Sequence, residues 1–161
     1  MTTNIACFGD NNMAAKHPDW VQMSKDGPAL RTNKKYNFRW DIVCNHEKHM
    51  IKYMLDLIED TAEKTKGITV SSMHFADHGF CTCPRCKEAY EKSGLDWLEW
   101  RAQTVTDFIK SAKERVKNKP FYVGLLPDPV NAYERFGMDF DALAEYADAF
   151  VVPHWSRSYA T

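Results

Sequence analysis

Residues 68–86, ITVSSMHFADHGFCTCPRC, decide the fold of this chain. The first eight are rich in β-branched and apolar side chains and read as a strand. That strand runs into Asp77 and His78, and three cysteines follow within six residues, at 81, 83 and 86. Outward in both directions the pattern repeats as strand, then helix. Residues 4–9 form a short apolar run that ends in a turn at Gly9-Asp-Asn-Asn12, and 13–37 are polar and irregular. Residues 38–44 read as a second strand. Asn45 is placed to cap a helix, in which Met50, Ile51, Met54, Leu55, Ile58 and Ala62 recur at helical spacing and Gly67 marks the stop.

After the cysteines, a short helix starts near Pro84 and a longer one covers about 97–117. Residues 121–126 form a fourth strand, Asp139 caps a short helix to Tyr146, and 148–153 form a fifth strand. Alternating strands and helices at this spacing predict βα units on a parallel sheet. No Gly-x-Gly-x-x-Gly or Walker segment follows any strand, so the usual signature of a nucleotide-binding open sheet is missing. Chemistry-bearing residues fall instead at the carboxyl ends of strands: Asp10, Cys44-Asn45, Asp77-His78, Pro127-Asp128 and His154-Trp155. Barrels carry their sites on that face, and a complete barrel takes about 250 residues. With 161 residues, the expected fold is α/β: a partial (β/α)8 TIM barrel with about five parallel strands and helices outside, forming a single domain over 1–161.

Composition sets the function classes. Hydrophobic residues make up 44% and charged residues 27%, an ordinary soluble-domain balance. The net charge is −1, with 21 basic and 22 acidic residues interleaved, so no field draws the chain to nucleic acid or an anionic membrane. No apolar run approaches the roughly 18 residues of a membrane span. The opening Met-Thr-Thr-Asn has no signal-peptide character, and a cytoplasmic location is the expectation. There, five cysteines point to metal ligation or free thiols before disulfides. Five tryptophans within 13% aromatic content suit a ring-binding cleft as well as a core.

In Cys81-Thr-Cys-Pro-Arg-Cys86 the sulfurs at i, i+2 and i+5 can converge in a tight turn, and Zn²⁺ takes four such ligands with Zn–S near ~2.3 Å. Cys44, at the end of the preceding strand, is the candidate for the fourth. Cys7 is an alternative inside the first strand, and His46 or His78 could substitute. A disulfide with leftover thiols is the competing reading. A four-sulfur site leaves no open coordination position, so such a metal would be structural.

Asp41-Ile-Val-Cys-Asn45, a helix, a strand ending Phe75-Ala-Asp-His-Gly79, and then Cys-x-Cys-x-x-Cys together resemble the barrel domain of glycoside hydrolase family 42 β-galactosidases. They also resemble uncharacterised glycoside-hydrolase-like barrel proteins, to which His17-Pro-Asp-Trp20, Lys25-Asp-Gly27 and Trp100-Arg101 lie closer. The likeness runs over most of the chain in pattern, and the cysteine motif is its specific part. It implies a structural zinc on Cys44, Cys81, Cys83 and Cys86. It also implies action on a carbohydrate with Asp77 at the acid/base position. Where family 42 has Asn-Glu-Tyr-Gly, this chain has Ala76-Asp77-His78-Gly79. The carboxylate is one methylene shorter and the sugar-contacting Asn is absent. The family's nucleophile belongs to a later strand, so a retaining pair of carboxylates spaced about 5–5.5 Å apart would need a second member from elsewhere. Asp10, Asn45, His78 and Trp155 are the candidate substrate contacts, with Trp155 as a stacking platform for a sugar ring. Association with another copy or a further barrel segment is expected from open sheet edges. The alternative is a non-catalytic, zinc-stabilised fragment that binds a carbohydrate or a subunit.

Overall fold

The computed structural model describes residues 2–126 and 128–152. Strand β1 (Thr3–Ala6) leads through a short helix α1 (Asn11–Lys16), a 3₁₀ turn (Pro18–Trp20) and a small hairpin, β2 (Met23–Ser24) with β3 (Gly27–Pro28). Helix α2 (Lys48–Lys64) returns the chain to β4 (Ile68–Ser71). Helices α3 (Pro84–Ser93) and α4 (Trp97–Val116) precede β5 (Phe121–Gly124), and α5 (Ala132–Phe136) and α6 (Phe140–Ala144) precede β6 (Ala149–Val151). The sheet runs β1-β4-β5-β6 with every pair parallel. It is a partial barrel in which β1 and β6 are the edges among the described residues.

Among the described residues the parallel sheet holds four strands, and the expected second strand is not one of them. Residues 38–44 do not enter it: Ile42 and Val43 make only isolated antiparallel bridges, to Gly9 and Val21. The reason is hydrogen-bond competition. The Ile42 carbonyl accepts from the Gln22 amide and its N–H donates to Ala29, while Val43 N–H donates to Phe8. Those backbone groups are engaged by the excursion between β1 and α2, so β1 pairs directly with β4, from Thr3↔Ile68 to Ala6↔Ser71.

Period-2 alternation sorts the strands into two faces. Ile5, Ile68, Val70, Phe121 and Val123 are buried, in one core with Met50, Met54, Ile58 and Ala62 of α2 and with Val105, Ile109, Ala112 and Val116 of α4. Each of the buried Val, Ile, Met and Phe side chains contributes roughly 1.5–3 kcal/mol by leaving water. The opposite face carries Asn4, Ala6, Thr69, Ser71, Tyr122 and Gly124, all exposed or half-buried. These align across the sheet as Asn4–Thr69–Tyr122 and Ala6–Ser71, on the side that a closed barrel turns inward.

The helix signals act locally. Asp96 and Glu99 form a reciprocal capping box on α4, and Asp139 caps α6. Helix α2 starts two residues later than the Asn45 cap predicts. Its cap is Glu47, whose carboxylate accepts from the His49 amide. No helix is long and apolar enough to cross a membrane among the described residues.

Candidate functional site

Two βα loops bring four sulfurs to one point. Cys81, Cys83 and Cys86 come from the turn that starts α3, and Cys44 comes from the segment before α2. All four are buried, and their sulfur atoms lie within 4.8 Å of one another. Cys44 Sγ is 3.5 Å from Cys83 Sγ and 3.3 Å from Cys86 Sγ. A tetrahedral metal–thiolate site with bonds of ~2.3 Å has sulfur–sulfur edges of ~3.8 Å, which these separations bracket. The surroundings suit thiolates: the backbone N–H of Met23 donates to Cys81 Sγ at 3.3 Å and that of His46 to Cys44 Sγ at 3.4 Å. The sulfurs also act on one another. Hydrogen bonds from Cys44 pull the Cys83 and Cys81 thiols below their ordinary range, while contacts with Cys81 and Cys44, respectively, push Cys44 and Cys86 up. A closed four-sulfur donor set of this geometry fits a thiophilic metal ion such as Zn²⁺ or iron.

The alternative donors lie elsewhere. Cys7 sits in the core directly after β1, and burial pushes its thiol up to about 12. The His46 ring stacks on Trp100 at 5.2 Å and meets Thr104 Oγ1 at 3.0 Å. His78 is exposed beside Asp77 and is not among the clustered donors. No cysteine is in a disulfide among the described residues.

A second cluster forms at the carboxyl ends of β4 and β5. Arg135, on α5, grips the Asp77 carboxylate with two nitrogens, Nε to Oδ1 at 3.2 Å and Nη2 to Oδ2 at 2.9 Å. Its remaining nitrogen reaches Asp128 Oδ2 at 2.7 Å. Two carboxylates from successive strand ends therefore share one guanidinium. Partial burial raises the Asp77 pKa, but the Arg135 hydrogen bonds, the His78 amide and the Arg135 and His78 charges outweigh it and hold the carboxyl below its usual range. A proton donor needs the opposite, a raised pKa. This geometry stabilises Asp77 as an anion.

The platform under Asp77 is built by a buried cation. Arg101 of α4 is fully buried and donates to three backbone carbonyls: Asp77 at 2.9 Å, Arg135 at 2.6 Å and Glu134 at 2.5 Å. Its guanidinium lies 4.8 Å from the centre of the Phe75 ring. Burial lowers its pKa to about 10, against the Asp77 charge, and it remains protonated. Gly137 closes α5 at φ +69, and a Cβ there would fall 2.9 Å from the Arg101 carbonyl oxygen, so the helix end can approach this closely only as glycine. Next to Arg101, His74 is buried with Nδ1 2.8 Å from the Phe75 carbonyl oxygen. Burial, aided by the Arg101 charge, lowers its pKa to about 4, so it is neutral.

The other expected contacts divide. Asp10 follows β1, and its Oδ1 accepts from Asn12 and Met13 as the cap of α1. Asn45 is buried: its Nδ2 donates to the Met73 carbonyl at 2.7 Å and its Oδ1 accepts from Gln22, whose Oε1 in turn accepts from the Ala76 amide. Asn45 thus braces the segment that carries Asp77. His78 is exposed, with Nε2 3.9 Å from Asp77 Oδ1. Trp155 lies outside the described residues. Trp40 is 51% exposed, with its Cβ beside Gly9 and Ser72 at the carboxyl ends of β1 and β4. Sequence reading passed over it because it fell inside an expected strand. Asp128 is a strand-end residue in the sequence, but nothing in the spacing links it to Asp77, Arg101 or Arg135, and Arg135 carries no sequence signal of its own. A groove of about 330 Å³ lies on the helical side, lined by His46, Trp100, Thr104 and Asp107, and its lining includes neither Asp77 nor Arg135.

The sequence matches no described protein-family profile and no characterised protein. Solved structures do match. A β-galactosidase from Bacillus circulans sp. alkalophilus superposes with a TM-score of 0.62 at 14% identity, covering 97% of this chain and 30% of that one. An α-L-fucosidase, isoenzyme 2 from Paenibacillus thiaminolyticus, gives 0.56 at 13%, covering 74% and 19%. An α-galactosidase from Thermus thermophilus, in complex with stachyose, gives 0.53 at 12%, covering 91% and 27%. The chain spans less than a third of each of these proteins. At such identities the likeness is one of fold: a partial barrel shared with these enzymes, which does not single out family 42.

Proposed function

We propose that this chain is part of a glycoside-hydrolase-type barrel that engages a carbohydrate at the carboxyl ends of its strands, with a structural zinc held by Cys44, Cys81, Cys83 and Cys86. The observation that carries the carbohydrate reading is the pair of carboxylates, Asp77 and Asp128, on one guanidinium at the ends of β4 and β5. In barrels this is the face that carries the site, and the three matched proteins act on sugars by their names. The exposed indole of Trp40 near the ends of β1 and β4 offers an apolar face for a sugar ring. Asp10 and His78 are proposed as further polar contacts. Zinc is favoured by the closed, buried, all-sulfur donor set.

Within this reading Asp77 acts as an anion: it contacts sugar hydroxyls or faces positive charge that develops at the sugar. The grip of Arg135 on Asp77 also favours a second reading, a non-catalytic carbohydrate-binding segment. One panel separates the two. Nitrophenyl glycosides of galactose, fucose and glucose are assayed for hydrolysis, and the free sugars for binding by calorimetry, with wild type, Asp77→Asn and Trp40→Ala. Hydrolysis lost in Asp77→Asn supports the enzyme. Binding without hydrolysis, weakened in Trp40→Ala, supports the binding segment. Neither binding nor hydrolysis with any of the sugars refutes both.

A further inference from the structure

The four sulfurs satisfy a metal's valence but not the charge of the site. A dication held by four thiolates carries a net charge of −2, and all four sulfurs are buried. A buried charge is strongly unfavourable unless partnered. The two backbone N–H···S contacts from Met23 and His46 supply dipoles but no charge.

Arg85 lies in the same turn, between Cys83 and Cys86. One terminal nitrogen donates to the Asp19 carbonyl oxygen. Its Nε is 3.4 Å from Glu47 Oε2, near enough for an ion pair but not aligned for a hydrogen bond, so this buried N–H has no acceptor. Glu47 is itself buried and fixed, as the cap of α2 and through His49 Nδ1 at 2.8 Å. Arg85 therefore connects the cysteine turn, the helix start three residues past Cys44, and the 3₁₀ turn.

We propose that Arg85 is the charge partner of the metal–tetrathiolate centre, held in place by Glu47 and Asp19, and that it sets the affinity of the site for a metal dication. This inference rests on the reading that the four cysteines bind metal. It distinguishes a role for the charge of Arg85 from a role as a strut between Asp19 and Glu47.

The test is zinc affinity of the demetallated chain, measured by competition with a chromophoric chelator, together with Co²⁺ spectra of wild type, Arg85→Gln and Arg85→Lys. Wild type is expected to bind one equivalent, with sulfur-to-cobalt charge-transfer bands and tetrahedral ligand-field absorption. Arg85→Gln keeps hydrogen-bonding capacity without charge and is expected to bind about 10–100-fold more weakly, the usual effect of removing an outer partner of a metal ligand. Arg85→Lys keeps the charge and is expected to recover most of that loss. Equal affinity of Arg85→Gln and wild type overturns the proposal. So does Arg85→Lys as weak as Arg85→Gln, because that is the signature of a strut. If Arg85→Gln does not fold even with zinc, Arg85→Lys alone decides: affinity close to wild type supports the charge role, and a large loss refutes it. If wild type binds no metal, the four-cysteine reading fails, and this inference fails with it.

Discussion

Acid should unfold this protein through His74. The side chain is buried beneath the Asp77 segment, its Nδ1 meets the Phe75 carbonyl, and its pKa falls from 6.5 to about 4, chiefly through burial and also through the Arg101 charge. The groups that face it are the Phe136 ring edge, the Phe75 carbonyl and the Arg101 guanidinium, and none of them is an anion. A histidine with a lowered folded pKa binds fewer protons folded than unfolded, so stability rises with pH across the window between the two values. Well above pH 6.5 both states are neutral and nothing changes. As pH falls from about 6.5 toward 4, stability is lost: about 2 kcal/mol by pH 5 and about 3 kcal/mol once the folded state also protonates, at 1.36 kcal/mol per unit. The depressed Asp77 carboxyl adds a loss at lower pH, because its folded form favours the anion. Subtracting a His74→Phe variant isolates the histidine. Urea unfolding by circular dichroism at pH 7.5, 6.5, 5.5 and 4.5 measures both proteins. The variant's absolute stability is immaterial; its pH slope should be shallower by that amount. Parallel slopes for the two proteins across pH 7.5–4.5 would refute the assignment of a buried neutral His74.

Arg101→Met should destabilise the protein by about 2–4 kcal/mol in urea unfolding, because three buried carbonyls lose their donor at about 1–3 kcal/mol each while relief of a buried charge offsets part of the loss. A change below about 1 kcal/mol would show that those carbonyls find other donors. Cys44→Ser should lower bound zinc, measured by elemental analysis, to well under one per chain and reduce the melting temperature, since metal binding is coupled to folding. Unchanged metal content and melting temperature would remove Cys44 from the centre. Chelation of wild type should reproduce the Cys44→Ser melting temperature.

Some of this was legible because it is local. The strands at β1, β4, β5 and β6 and the long helices α2 and α4 follow from apolar periodicity. The caps Asp96 and Asp139 act on amides two and three residues away. The cysteine turn is equally local, with three sulfurs inside six residues. Residues 38–44 were misread because their apolar run is real but their backbone partners are not local. Gln22 and Ala29 take the hydrogen bonds of Ile42, and periodicity carries no information about which segment pairs with which. Arg101 shows the same limit: a guanidinium on an apolar helix face reads as an interruption until the three carbonyls it satisfies are brought beneath it.

The sequence by itself determined which strand residues alternate, which long stretches are helical, and that a sulfur-rich turn closely follows Asp77. Those properties depend on neighbours a few residues apart. Tertiary structure alone decided that Cys44 rather than Cys7 closes the sulfur cluster, that Asp77 meets Arg135 and Asp128 and is held as an anion, and that Trp40 is exposed beside the ends of β1 and β4. Each depends on contacts between segments tens of residues apart, and on burial and charge at those contacts, which exist only once the sheet has assembled.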